Sequence, residues 1–128
     1  MTYYINKTIN AEFDKAIELV TEALKKEGFG VLSEIDIQQK LKEKLDVDFR
    51  KYKILGACNP PNAHQALLLE DKIGTMLPCN VIVQETGVNQ VEVAAVDPAA
   101  SMMSVDNDQL IGIAKEIKTK LEKAIASL

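Results

Sequence analysis

The residue types able to do chemistry are densest in Gly56-Ala57-Cys58-Asn59-Pro60-Pro61-Asn62-Ala63-His64. Asn is a favoured helix N-cap and Pro a favoured first helical residue, so this run predicts a helix over Pro60 to about Glu70. Cys58 then stands just ahead of the helix N-terminus and His64 about one turn in. Unsatisfied N–H groups and the helix dipole at such an end favour an anion, and so would lower a thiol pKa. The second cysteine, in Leu77-Pro78-Cys79-Asn80, also stands at a strand end beside a proline. If the strands holding the two cysteines are neighbours, Cys58, Asn59, His64 and Cys79 converge at one end of a sheet as a ligand-binding site.

Three chemistries fit these residue types. Cys58 as nucleophile with His64 as base would make a thiol-dependent enzyme, although no fixed sequence offset marks a triad. Cys58, His64 and Cys79 as metal ligands would suit zinc poorly, because structural zinc wants four ligands and this chain has one histidine and no CxxC. The thioethers of Met102 and Met103 would shift such a site toward Cu(I). Free cysteines also behave as small buried hydrophobes, so both thiols can be inert core, and the methionine pair gap-filling core. A small-ligand or metal-binding and sensing module is the leading expectation, with the thiol enzyme and a purely structural dimerisation domain as alternatives. Gly28-Phe29-Gly30 closes a helix where a dinucleotide fingerprint would open one, so no nucleotide site is indicated.

The elements that must position these residues follow from periodicity. Tyr3 to Ile9 reads as a strand. Asn10 is the expected N-cap of a helix whose Phe13, Ile17, Val20 and Leu24 recur on one face, closed by Lys25, Lys26 and Gly28. Val31 to Ile37 reads as a strand with Val31, Ile35 and Ile37 inward, followed by a short helix with Ile37, Leu41 and Leu45 four apart. In the strand from Lys51 to Cys58, the parity of Tyr52, Ile54, Gly56 and Cys58 is expected to be the buried one. Lys72 to Pro78 reads as a loop. Cys79 to Glu85 and Gln90 to Val96 form the clearest hairpin, although Ala94 and Val96 weaken the alternation of its second strand. Asp97-Pro98 ends it. Asp106 as N-cap, with Gln109 three residues on and Val105 facing Leu110, opens a final helix of about 21 residues, roughly 31 Å long. Its stripe is Leu110, Ala114, Ile117, Leu121, Ala124 and Leu128. The order β-α-β-β-β-β-α points to an α+β fold: one mostly antiparallel sheet with two long helices on a single face.

Composition bounds the function. The chain has 128 residues, 47% hydrophobic and 27% charged, with 15 basic and 19 acidic side chains and a net charge of −4. That is one domain's worth of chain, residues 1–128, with a core large enough to need no disulfide framework. The acidity argues against nucleic acid, which needs a concentrated basic surface. Asp36 to Lys53 holds six basic and four acidic residues, but the signs alternate as on a solvated face. No apolar run is long enough for a membrane span and no export signal is present, so a cytoplasmic protein with two reduced thiols is the expectation.

At Gly56-Ala57-Cys58-Asn59-Pro60, Leu77-Pro78-Cys79-Asn80-Val81 and Asp97-Pro98 the chain resembles the domain-of-unknown-function 302 family of small bacterial and archaeal proteins. The two cysteine motifs, about twenty residues apart with a helix between them, carry the resemblance, which extends over almost the whole chain. It implies a TBP-like fold, β-α-β(4)-α, and a homodimer. It implies no activity, and the fold alone gives no licence for DNA binding.

Overall fold

The computed structural model describes residues 2–128. The strands are β1 (Tyr4–Asn10), β2 (Gly30–Asp36), β3 (Tyr52–Cys58), β4 (Cys79–Gly87) and β5 (Gln90–Val96). The helices are α1 (Phe13–Lys26), α2 (Ile37–Leu45), α3 (Pro60–Leu69), α4 (Pro98–Ser101) and α5 (Gln109–Ala126). A 3-10 helix, Asp71–Met76, occupies most of the segment expected to be loop. The five strands form one sheet in the order β1-β5-β4-β3-β2, antiparallel throughout. The expected α+β order holds, with α1 and α5 as its long helices.

The sheet has one covered and one uncovered face. Val81, Val83, Val91, Val93 and Ala95, all fully buried, join Phe13, Val20 and Leu24 of α1 and Ile117 and Leu121 of α5 in one core. Burying each of the larger side chains is worth about 1.5–3 kcal/mol, so this layer is the main source of stability. Lys7 fastens the layers, donating to the main-chain carbonyls of Ala126 and Leu128 at the end of α5.

Several expected details are corrected, each for a local reason. In β3 the covered parity is Leu55 and Ala57, both fully buried, and Cys58 is only half-buried. Both parities of Tyr52-Lys53-Ile54-Leu55-Gly56-Ala57-Cys58 are largely apolar. Cross-strand pairing of Leu55 with Val81 and Ala57 with Cys79 makes the choice that alternation leaves open. In β2 a bulge between Val31 and Ser33 reverses the parity, so Val31 opposes Ala57 on the covered face while Ile35 opposes Ile54 on the other. Ile35 is accordingly exposed, and Ile37 opens α2 instead of closing the strand.

Helix starts also differ. Asn10 remains in the ladder opposite Gln90, so Glu12 caps α1, accepting from the Asp14 N–H at 3.3 Å. The last helix starts at Gln109 and runs for 18 residues. Asp106 does not cap it: Asn107 Oδ1 accepts from the Gln109 N–H at 3.1 Å, while Asn107 Nδ2 donates to the Leu69 carbonyl at 3.0 Å and ties this corner to α3. The apolar stripe is as expected from Leu110 to Ala124, with Ile113 and Ile125 added to its buried members, while Leu128 lies beyond the helix end and is half-buried. Asp97 ends β5 and caps α4, accepting from the Ala99 N–H at 2.9 Å, and pairs with Lys118 at 3.1 Å.

Candidate functional site

Two concave regions are candidates for a site, the cysteine end and the uncovered sheet face. Pairing of Ala57 with Cys79 sets the first by bringing the end of β3 against the start of β4. Asn59 then turns the chain into α3. Its Oδ1 accepts from the Asn62 N–H at 3.3 Å, its Nδ2 lies 3.5 Å from the Glu27 carbonyl, and the residue is buried. The Pro60 helix is therefore capped as expected, and the same side chain seals the end of α1.

Cys58 and Cys79 line one cavity with Phe29, Asn59, Pro78 and Met102, but its free volume is only about 20 Å³. Such a space holds one water or one ion, not an organic ligand. Burial, and secondarily the neighbouring Cys58 thiol, pushes the Cys79 thiol from 9.0 up to about 11, so it keeps its proton at neutral pH. His64 is exposed and does not line this cavity. Among the described residues no group of three His, Cys, Asp or Glu side chains is placed to hold a metal ion. The two sulfurs are thus brought together and the imidazole is not. Met102 is buried against the cysteine cavity, whereas Met103 is exposed.

The second region was not found by reading motifs. Opposite the helices, the sheet carries a row of Ile54, Ile82, Ala94 and Asn6, and beside it a row of Tyr52, Gln84, Glu92 and Thr8. Tyr4 pairs with Val96 at the β1 edge. Ile82, Gln84, Glu92 and Ala94 of these rows floor a groove of about 420 Å³ whose walls include Tyr3, Tyr4 and Tyr52. Ile82 and Ala94 are half-buried there without any helix above them, and Val96, at the end of β5, lines the groove while also packing against the core.

A hydrogen-bonded chain passes through Gln84 and Glu92 of the groove lining, with Arg50 and Asn6 outside the lining at its two ends. Arg50 Nε donates to Gln84 Oε1 at 2.8 Å, Gln84 Nε2 donates to Glu92 Oε1 at 2.8 Å, and Asn6 Nδ2 donates to Glu92 Oε2 at 2.9 Å. The Arg50 guanidinium lies 4.4 Å from the Phe49 ring centroid and 5.8 Å from that of Tyr52. The signal for this face in the sequence is the broken alternation at Ala94 and Val96, which makes the second half of β5 apolar on both sides.

No helix among the described residues is long and apolar enough to cross a membrane. No curated protein matches the chain. A crystal structure of an uncharacterized conserved protein DUF302 from Bacillus stearothermophilus superposes with a TM-score of 0.90 at 28% identity, over 98% of each chain. The model of the family described as "Domain of unknown function DUF302" matches residues 5–128. With the same fold in a solved relative and a family match from β1 to the last residue, the chain belongs to the DUF302 family.

Proposed function

We propose that this protein is a binding module, not a catalyst, and that its small-molecule ligand lies in the tyrosine-walled groove on the uncovered sheet face. The observation that carries this reading is the contrast in space: about 420 Å³ over an apolar floor, against about 20 Å³ between the thiols. A concave, mostly apolar surface with a few converging polar groups is the usual form of a small-ligand site. The test is a protein-observed NMR titration with n-octanol. Amide shifts confined to Ile82, Ala94, Val96 and Tyr52, and abolished by Val96→Lys, are expected. Saturable shifts elsewhere, or none up to the solubility of the alcohol, would remove the reading.

The cysteine end supports a second, narrower function. Two thiols on a cavity the size of one atom fit a soft monovalent ion such as Cu(I). Zinc would require ligands beyond Cys58 and Cys79, and the exposed His64 would have to swing in to supply one. Both cysteines are free, which suits a reducing compartment such as the cytoplasm. Metal analysis of untagged protein purified anaerobically checks this: stoichiometric copper lost in Cys58→Ser is expected, and metal-free protein that takes up no Cu(I) counts against it.

We further read the protein as a homodimer joined at the β2 edge. β2 is an outer strand whose far edge has no partner among the described residues, with Leu32 70% exposed, and α2, which follows it, buries no residue, leaving Leu45 66% exposed. A strand edge is self-complementary under a two-fold axis, and an uncovered one is open to just such pairing. Sedimentation should give twice 14.1 kDa for the natural chain and 14.1 kDa for Leu32→Lys. A monomeric natural chain would refute the assignment.

A further inference from the structure

Resting on the groove reading above, we infer that the ligand is an amphipathic monocarboxylate, with its carboxylate on Arg50 and its apolar body along Ile82, Ala94 and Val96. Three observations point to this class. Arg50 is held in place before any ligand arrives: Gln84 takes its Nε at 2.8 Å, and the Phe49 and Tyr52 rings stand 4.4 and 5.8 Å away. Fixing the guanidinium in this way removes much of the rotamer entropy that an exposed arginine otherwise loses on binding.

The guanidinium is also unspent. Among the described residues no carboxylate forms an ion pair with Arg50, whereas most other ion pairs on the surface involve lysines close in sequence to their partners. With Nε engaged, the remaining edge presents its two Nη groups, a fork that matches the two oxygens of a planar carboxylate.

Charge then selects among anions. Arg50 stands at the rim, bonded to the lining residue Gln84, whereas Glu92 lines the groove itself and is bonded by Gln84 Nε2 and Asn6 Nδ2, both amide donors, so its negative charge is hydrogen-bonded but not neutralised. Arg50 and Glu92 together sum to zero, and one added negative charge is accommodated more readily than two. The apolar floor between Tyr52 and Tyr4 supplies the place for the rest of the molecule, which a bare inorganic anion would leave empty.

The experiment compares four probes with one tail, octanoate, n-octanol, octyl phosphate and octylamine, by the same NMR titration at low ionic strength. Octanoate should bind about five- to tenfold more tightly than octanol, as a single exposed charge-assisted fork supplies. In Arg50→Gln that ratio should fall to about one, and in Arg50→Lys it should be intermediate, since the charge remains and the fork is lost. Lys51→Gln, which removes a neighbouring exposed cation, should leave the ratio unchanged, and circular dichroism of each variant confirms folding. Octanol binding in the groove with octanoate no tighter would overturn this inference while leaving the groove reading intact. Octyl phosphate tighter than octanoate would overturn the monocarboxylate class, and octylamine tightest would transfer the anchor to Glu92. Failure of all four probes to bind would refute the groove reading itself.

Discussion

Replacing Gly56 by alanine should destabilise the protein by about 1–2 kcal/mol, and the reasoning rests on one contact. Gly56 lies in β3 opposite Ser33 and Asn80. A Cβ built there would lie 2.8 Å from Pro78 Cγ and closer still to Ser33 Oγ, with Ser33 Cβ at an ordinary 3.6 Å. Real Cβ atoms do not tolerate such distances, so the chain must yield. The serine oxygen can rotate away, but the proline ring is fixed between Leu77 and the first residue of β4. Overpacking of this kind costs about 1–3 kcal/mol, and the better strand propensity of alanine returns roughly 0.5–1 kcal/mol. With a urea m-value of about 1–3 kcal/mol/M for a chain of this size, the midpoint should fall by roughly 0.3–2 M. Ser33→Ala alone should change stability by less than about 0.5 kcal/mol. Combined with Gly56→Ala it should recover about 0.5–1 kcal/mol, the share of the clash carried by Oγ, and Pro78 should keep the remainder. A Gly56→Ala midpoint at or above that of the natural protein, or strict additivity in the double variant, would refute this account of the β2–β3–β4 corner.

Three further outcomes follow. Cys79 holds its proton in the folded state up to about 11 against 9.0 when unfolded, so the unfolded chain binds fewer protons between these values. Stability should therefore fall as pH rises through that window, by on the order of 2 kcal/mol, and Cys79→Ala should flatten this part of the curve in urea titrations. Asn59→Ala should cost about 1–2 kcal/mol through loss of the α3 cap, while Asn59→Asp should cost less, because it keeps the acceptor for the Asn62 N–H and loses only the donor facing the Glu27 carbonyl; thermal unfolding orders the two, and an aspartate variant as weak as the alanine would place the energy in the Glu27 contact instead. On β4, Val83→Ala should cost about 2 kcal/mol because the site is fully buried, whereas Ile82→Ala should cost under about 1 kcal/mol yet weaken octanol binding; equal costs would contradict the assignment of the two faces.

The parts of the fold legible in the sequence are those where one parity or one helical face is apolar and the other is not. The stripe from Leu110 to Ala124 and the Phe13–Val20–Leu24 face have this property, and Val81, Val83, Val91 and Val93 of the hairpin stand on the more apolar of its two parities; all are buried as expected. The misread positions share the opposite property. β3 is apolar on both parities, so Cys58 could be placed inward by alternation alone, and only the pairing of Ala57 with Cys79 corrects it. The β2 bulge reverses Ile35 by a single inserted residue, which composition does not register. Asn10 and Asp106 are both good capping residues, but a ladder partner at Gln90 and the tether from Asn107 to the Leu69 carbonyl decide which residue begins each helix. The cysteine motifs were visible because rare residues beside prolines stand out. The tyrosine groove is hidden because its members come from three separated segments, β1, β3 and the β4–β5 hairpin, and meet only when these are laid side by side.

That difference bears on where function should be sought in this family fold. The cysteine end is anchored by buried Asn59, Phe29 and Cys79, and every one of these side chains has a packing or hydrogen-bonding duty that accounts for it. The uncovered face has no such duty to perform: α1 and α5 already bury the opposite side of every central strand. Yet Ile54, Ile82, Ala94 and Val96 are apolar where an antiparallel sheet facing water ordinarily turns polar. Apolar surface that stability does not require, beside an arginine fixed by two rings and an amide, is the combination that association with another molecule would explain. On the function proposed above, the sulfur pair has a structural role or holds at most a single ion, and recognition falls to the groove.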